Sequence, residues 1–294
     1  MRSQTLQLRV PILMGNAIWF LILAGLSIIL VVYVFWRKKD LKLLALFFGL
    51  GAIAGYLENV ICIWFQSYEY YPKILEDPYY DLILGTYLSQ VYYVSSVALF
   101  IAAFNLRYRW ILAFIAMFVG IEYLFLALGV YKLNWWHPGY TAVGLLIYFW
   151  ISKRWHTVLL QNSSRFIRWF TLFCLNYIIY GDLIAIPLFS NHYHFAVAWF
   201  NNPTRATVTV IIIFMLIRGA IFALVCFYKL HWSIMVLVPI LMWVFYKHLI
   251  HLHMFTYKHF WDLLLFALSD IVILICCYFF NRILTKHPTY ELHP

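Results

Sequence analysis

The chain has 294 residues, 65% of them hydrophobic and only 11% charged, where soluble domains carry roughly 25% charged residues. That composition excludes a soluble globular protein and points to one built into a membrane. The formal net charge of +10 reads as topology and as affinity for anionic headgroups. No basic stripe with interleaved aromatics stands on a soluble face, so membrane lipids are the expected partners and nucleic acid is not.

In chain order, apolar stretches suited to crossing roughly 30 Å of hydrocarbon run near 14–36, 43–65, 82–104, 110–130, 139–152, 168–189, 206–228, 232–253 and 261–281. The expected fold is therefore all-α, a polytopic membrane bundle of about nine transmembrane helices. If these alternate, Arg37, Lys38, Lys39, Lys42, Arg107, Arg109, Lys153, Arg154, Arg165, Arg168, Lys229, Arg282 and Lys286 share one side, against Arg2, Arg9, Lys73, Lys132, Arg205 and Lys258. The basic excess marks the cytoplasmic side, placing the N-terminus out and the C-terminus in. The glycosylation-type triplet Asn162-Ser163-Ser164 then falls in an inner loop, where it would go unused. All of Cys62, Cys174, Cys226, Cys276 and Cys277 lie within spans, so neither a disulfide framework nor a thiolate metal site is expected.

Set against itself at an offset of 124 or 125, the chain shows a connected match. Tyr56 and Glu58 fall on Tyr180 and Asp182, Glu122 falls on Lys247, and Tyr131-Lys132 before Trp135-Trp136 falls near Tyr257-Lys258 before Phe260-Trp261. The expected organisation is one leading helix with a first four-helix unit in 1–157 and a second, parallel four-helix unit in 158–294, together one membrane domain. Parallel repeats are a known membrane architecture that builds sites at the repeat interface.

Glu58, Glu122, Asp182, Arg218, Lys247 and Asp270 all sit inside apolar spans. A charge at the centre of a membrane helix costs about 2.5–3.5 kcal/mol, so such residues turn toward protein or a wet cavity and mark function. Gly51 and Gly55, one turn apart and just before Glu58, permit close helix approach on that face; Gly120, Gly181 and Gly219 stand similarly near Glu122, Asp182 and Arg218. The plain structural alternative pairs Asp182 with Arg218 and Glu122 with Lys247, which leaves Glu58 and Asp270 without a cation. A protonated carboxyl in a dry pocket is a general acid. The expected catalytic residues are thus Glu58, Asp270 and Asp182, with Glu122, Arg218 and Lys247 as electrostatic support. Tyr92, Tyr93, Tyr123, Tyr180, Trp243, Tyr246 and Phe266 lie within the spans and would bind a substrate and stabilise a cation through their ring faces.

His248, His251 and His253 match neither H-E-x-x-H nor a histidine-box spacing, so no metal is expected. No P-loop, G-x-G-x-x-G, G-x-S-x-G, EF-hand or paired aspartate-rich pattern occurs, so no cofactor is expected.

With Glu58 leading to Tyr71-Pro72, Phe104-Asn105 after the third span, and Glu122 followed by Tyr131 and Trp135-Trp136, residues 56–155 resemble a family of short multi-pass membrane proteins of unknown function from spore-forming bacteria. That likeness implies a helical membrane fold and a bacterial cytoplasmic membrane. Glu58 in the second span, within Leu57-Glu58-Asn59-Val60, and Asp270 in the last, with Arg282 beyond it, resemble more faintly the integral-membrane terpene cyclases and lycopene-cyclase-domain proteins. This second likeness implies acid roles for Glu58 and Asp270. The expected function is a membrane-embedded cyclase or isomerase that protonates a linear isoprenoid lipid. The alternatives are a proton- or ion-coupled transporter using Pro187 and Pro239 as helix breaks, and a non-catalytic sensor or assembly protein. Oligomeric state is not legible.

Overall fold

A computed structural model describes residues 10–161 and 164–285. Arg2, Arg9, Lys286 and the first two residues of the Asn162-Ser163-Ser164 triplet lie outside them. Among the described residues the chain is helical apart from two short ribbons. A leading helix, α1 (Val10–Lys38), is followed by α2 (Lys42–Glu58), which continues through a π-helical turn, Asn59–Trp64, into strand β1 (Tyr68–Tyr70). One long rod then comprises α3 (Pro78–Thr86), a π-helical segment Tyr87–Val94, and α4 (Ser95–Ala103), before α5 (Tyr108–Ala127), β2 (Tyr131–Leu133) and α6 (Pro138–Leu160). The same succession of helix, strand, helix, helix, strand, helix follows as α7 (Arg165–Phe189), β3 (Tyr193–Phe195), α8 (Pro203–Phe227), α9 (Trp232–His251), β4 (Phe255–Tyr257) and α10 (Phe260–Thr285).

Local chemistry repeats with it. Asp77 caps α3 by accepting from the Tyr79 and Tyr80 amides at 2.8 and 3.0 Å, and Asn202 caps α8 by accepting from Thr204 and Arg205 at 2.9 and 3.1 Å. Each cap precedes a proline at the first helical position, where no amide is needed. Left-handed residues close the helices in matching places: Gln66 and Asn191, Asn105 and Lys229, Gly129 and His253.

Among the described residues eight helices are long and apolar enough to cross a membrane, with about nine expected. The expected span 139–152 lies in α6, whose second half carries Ser152, Lys153, Arg154, His156 and Thr157 and which is not one of the eight. Helix α7 packs on α2, α8 and α10 and so joins the two successions. Both ribbons lie at one end of the bundle, because the Thr204 hydroxyl donates to Asp77 at 3.0 Å and Arg205 donates to the Trp64 carbonyl at 3.3 Å. Gly51 and Gly55 do bring α2 against the π-helical segment: an added Cβ would meet Val91 at 3.2 and 3.1 Å. Gly120 by contrast faces open space.

Candidate functional site: a two-carboxyl chamber

β1 pairs antiparallel with β2, Tyr68 opposite Leu133, Glu69 opposite Lys132 and Tyr70 opposite Tyr131. Alternation along a strand turns Tyr68, Tyr70 and Tyr131 down into the bundle, where all three are buried, and leaves Glu69 and Lys132 on the far face, 4.0 Å apart. The rings form a packed group: Tyr68 lies 5.2 Å from Tyr131 and 5.6 Å from Trp136, and Tyr70 lies 4.8 Å from Tyr131. Burial holds the Tyr68, Tyr70 and Tyr131 hydroxyls above the ordinary phenol range, so each remains an O–H donor.

Under this ribbon is a cavity of about 170 Å³. Glu58, the last residue of α2 before the π-helical turn, reaches it from one side and accepts hydrogen bonds from the Tyr68 hydroxyl and from Cys62 Sγ at 3.4 Å. The turn itself is marked by the Phe65 amide donating five residues back to Val60 at 3.2 Å; π-helical turns of this kind recur at functional sites. Glu122 enters from α5, only 8% exposed, with one carboxyl oxygen 3.4 Å from the Tyr131 hydroxyl and the other, Oε2, without a hydrogen bond of good geometry. Tyr93, Phe118, Phe125, Trp136, Tyr140 and Tyr148 complete much of the wall, with Ser89, Gln90 and Thr141 as neutral polar groups. Among the described residues no lysine, arginine or histidine lines it. Leu57 and Tyr140, 48% and 54% exposed, stand with Gly144 at the rim, on the flank of the bundle below the ribbon.

The other expected residues separate into two further groups. Arg218 and Asp270, 3% and 1% exposed, are ion-paired. Arg218 also donates to the Tyr180 hydroxyl at 3.0 Å and to that of Tyr246, and its guanidinium lies 4.0 Å from the Tyr180 ring centre. Phe266 packs on Tyr246 at 5.1 Å and on the β3 residue Tyr193 at 5.0 Å, filling this region with rings. Asp182 instead lies where α7 meets the π-helical segment, accepting from the Tyr92 and Tyr87 hydroxyls at 2.6 and 2.9 Å. Tyr123 is 57% exposed and lines no part of the chamber.

Two expected pairings are therefore replaced. Arg218 meets Asp270 rather than Asp182, because α8 turns it toward α10 while Asp182 faces the first half. Glu122 does not meet Lys247. Tyr246 is a buried residue of α9, as are Val238 and Leu249 on the same side, and the next position is rotated by about 100° on a helix, so Lys247 is exposed with its ammonium 5.4 Å from the Trp243 ring. α5 and α9 align end to end at an offset of 124, which sets Glu122 against Tyr246. Arg218, counted from the start or the end of α8, falls on Tyr93 or Val94, and both of these line the chamber. Arg218 and Tyr246 thus stand in the second succession where the chamber lies in the first, and a separate apolar cavity of about 240 Å³ opens beside them between α8 and α9, lined by Phe214, Ile217, Leu241, Met242 and Phe245.

Tyr68, Tyr70, Tyr131 and Trp136 were not among the expected site residues, because they stand between spans rather than in them. The period-two pattern Tyr68-Glu69-Tyr70 is the signal that exposes the ribbon. Among the described residues no three His, Cys, Asp or Glu side chains converge as metal ligands. No protein family, curated protein or solved structure matches the chain.

Proposed function

We propose that the chamber below the first ribbon is the reaction site of a membrane-embedded, acid-initiated cyclase or isomerase of a linear isoprenoid lipid. The observation that carries this reading is that Glu58 and Glu122 share one ring-walled hollow that, among the described residues, no basic side chain lines. Glu58, held by Tyr68, gives its proton to a terminal alkene or epoxide, and the cation formed is stabilised by the surrounding ring faces, each worth up to about 2 kcal/mol when water is excluded. Ring closure or double-bond migration moves the cation, and loss of a C–H proton to the Glu122 carboxylate ends the reaction, so substrate and product are isomers. Asp270, 1% exposed, ion-paired with Arg218 and lining neither cavity, serves structure in this scheme.

The reading extends to the whole chain. The two successions are a duplication giving parallel units after a leading helix, α6 is a ninth span, the N-terminus is out, the C-terminus is cytoplasmic, and the membrane is a bacterial plasma membrane. The repeated succession favours, as the second reading, a proton-coupled transporter moving one unit against the other.

Mass spectrometry of lipids copurified with the wild type, Glu58→Gln, Glu122→Gln and Asp270→Asn tests the reaction. An isomerised isoprenoid that is lost in Glu58→Gln and reduced in Glu122→Gln supports it. Identical lipids in the wild type and both glutamate variants overturn it, and proton-coupled uptake by vesicles that lack any product favours the transporter.

A further inference from the structure

We infer that the same chamber is a receptor for a lipophilic ammonium ion: a tertiary or quaternary amine on an apolar chain, without a phosphate. The inference uses the chamber's geometry and no reaction within it. Two acidic side chains, each less than a tenth exposed, face a common hollow, and one carboxyl oxygen, Glu122 Oε2, is buried without a hydrogen bond of good geometry, the neutral Thr141 hydroxyl being the polar group beside this carboxyl. A buried acceptor open in this way calls for a partner, and a bound cation is one that satisfies it. The neighbouring groups decide what that is. Tyr68, Tyr70, Tyr131, Trp136 and Tyr140 supply ring faces, the recurrent surroundings of an alkylated ammonium, and Tyr68, Tyr131 and Trp136 are locked against one another at 5.2–5.6 Å. Two carboxyls among rings, with no cation among the described residues that line the space, leave room for one charge from outside.

Anionic partners are excluded by the same inventory. A phosphate next to the ammonium, as in a zwitterionic phospholipid, would meet two acids and no lysine, arginine or histidine in the lining. Lys132, the basic residue of the ribbon, is on its opposite face beside Glu69. The rim residues Leu57, Tyr140 and Gly144 lie on the helix flank, so the apolar chain of such an amine stays in the bilayer while its head turns in.

The full chain in a maltoside detergent, titrated calorimetrically with dodecyltrimethylammonium, tests this directly. The comparison probe is its carbon isostere, in which a neutral quaternary carbon replaces the nitrogen. The ammonium binds at least about tenfold more tightly than the isostere, as the cation–ring and carboxylate attraction requires. Glu58→Gln and Glu122→Gln each weaken it, the double variant abolishes the preference for charge, and Lys247→Gln leaves it intact. Each variant's melting temperature confirms that it remains folded. Equal binding of probe and isostere, or a charge preference surviving in the folded double variant, overturns the inference. Competition by phosphatidylcholine in nanodiscs as strong as that of the alkylammonium overturns the exclusion of phosphate. Ammonium binding without any isoprenoid product would leave this receptor standing and end the proposed reaction; product formation without charge-selective binding would do the opposite.

Discussion

Glu58 and Asp270 look alike in the sequence, as single acids in the second and last apolar spans, and their surroundings make them different. Asp270 is matched by a buried guanidinium, and removing one partner of a buried pair leaves the other charge stranded at a cost of about 3–5 kcal/mol. Asp270→Ala is therefore expected to lower the melting temperature of the detergent-solubilised protein sharply, with Arg218→Ala close behind. Glu122→Gln, which keeps the side-chain shape and a carbonyl oxygen to accept from Tyr131 or Thr141 and strands no charge, is expected to melt near the wild type. The reverse order would mean that Arg218 and Asp270 are not the structural pair. That intramembrane charges existed was legible from the sequence; their partners were not. Pairing depends on which way each side chain leaves its helix, and a shift of one residue, from Lys247 to Tyr246, exchanges an outward ammonium for an inward phenol.

At the level of elements, the helices follow from composition, and the two ribbons escape it because each strand is only three residues long. The first ribbon is nevertheless what seals the chamber. Gly85 is the point at which α3 meets it: an added Cβ would come within 2.8 Å of both Tyr70 and Pro72. Overpacking of this kind costs about 1–3 kcal/mol, so Gly85→Ala is expected to displace β1 and to lower both stability and chamber function. Gly144, at the rim with open space around it, behaves differently; Gly144→Leu is expected to obstruct entry and reduce ligand or product with little change in melting temperature. The ribbon's far face carries a pH dependence. The Tyr71 hydroxyl, then Asn134 and Lys132, hold the Glu69 carboxyl below the usual glutamate range against a smaller opposing effect of burial. A depressed carboxyl contributes stability above its unfolded pKa of about 4.3 and loses it as pH falls through the lower folded value. Amide hydrogen exchange at Tyr70 and Tyr131 is expected to accelerate in that acidic window for the wild type and to be flat there in Glu69→Gln.

On the scale of the whole molecule, the repeated succession was partly visible as the 124–125 offset, while its unequal content was not. Tyr131-Lys132 and Tyr257-Lys258 signal similarity, yet only packing shows that the hollow of one half holds two carboxyls while the hollow of the other is apolar and bordered by Arg218 and Tyr246. The proposed orientation rests on the arginine and lysine distribution and has a direct test. A single cysteine introduced at Glu76, in a background with the native cysteines replaced by alanine or serine, is expected to react with an impermeant maleimide added outside intact cells, and one at Lys39 only after lysis. The opposite result would invert the assignment.

The ribbon over the chamber and the rim on the helix flank carry a kinetic consequence. A guest that arrives and departs through the side of the bundle answers to its mole fraction among the surrounding lipids, not to its amount per litre. Swelling the vesicles with inert phospholipid at fixed protein and fixed guest should slow turnover or reduce occupancy in proportion, whereas diluting the whole suspension with buffer should leave both unchanged.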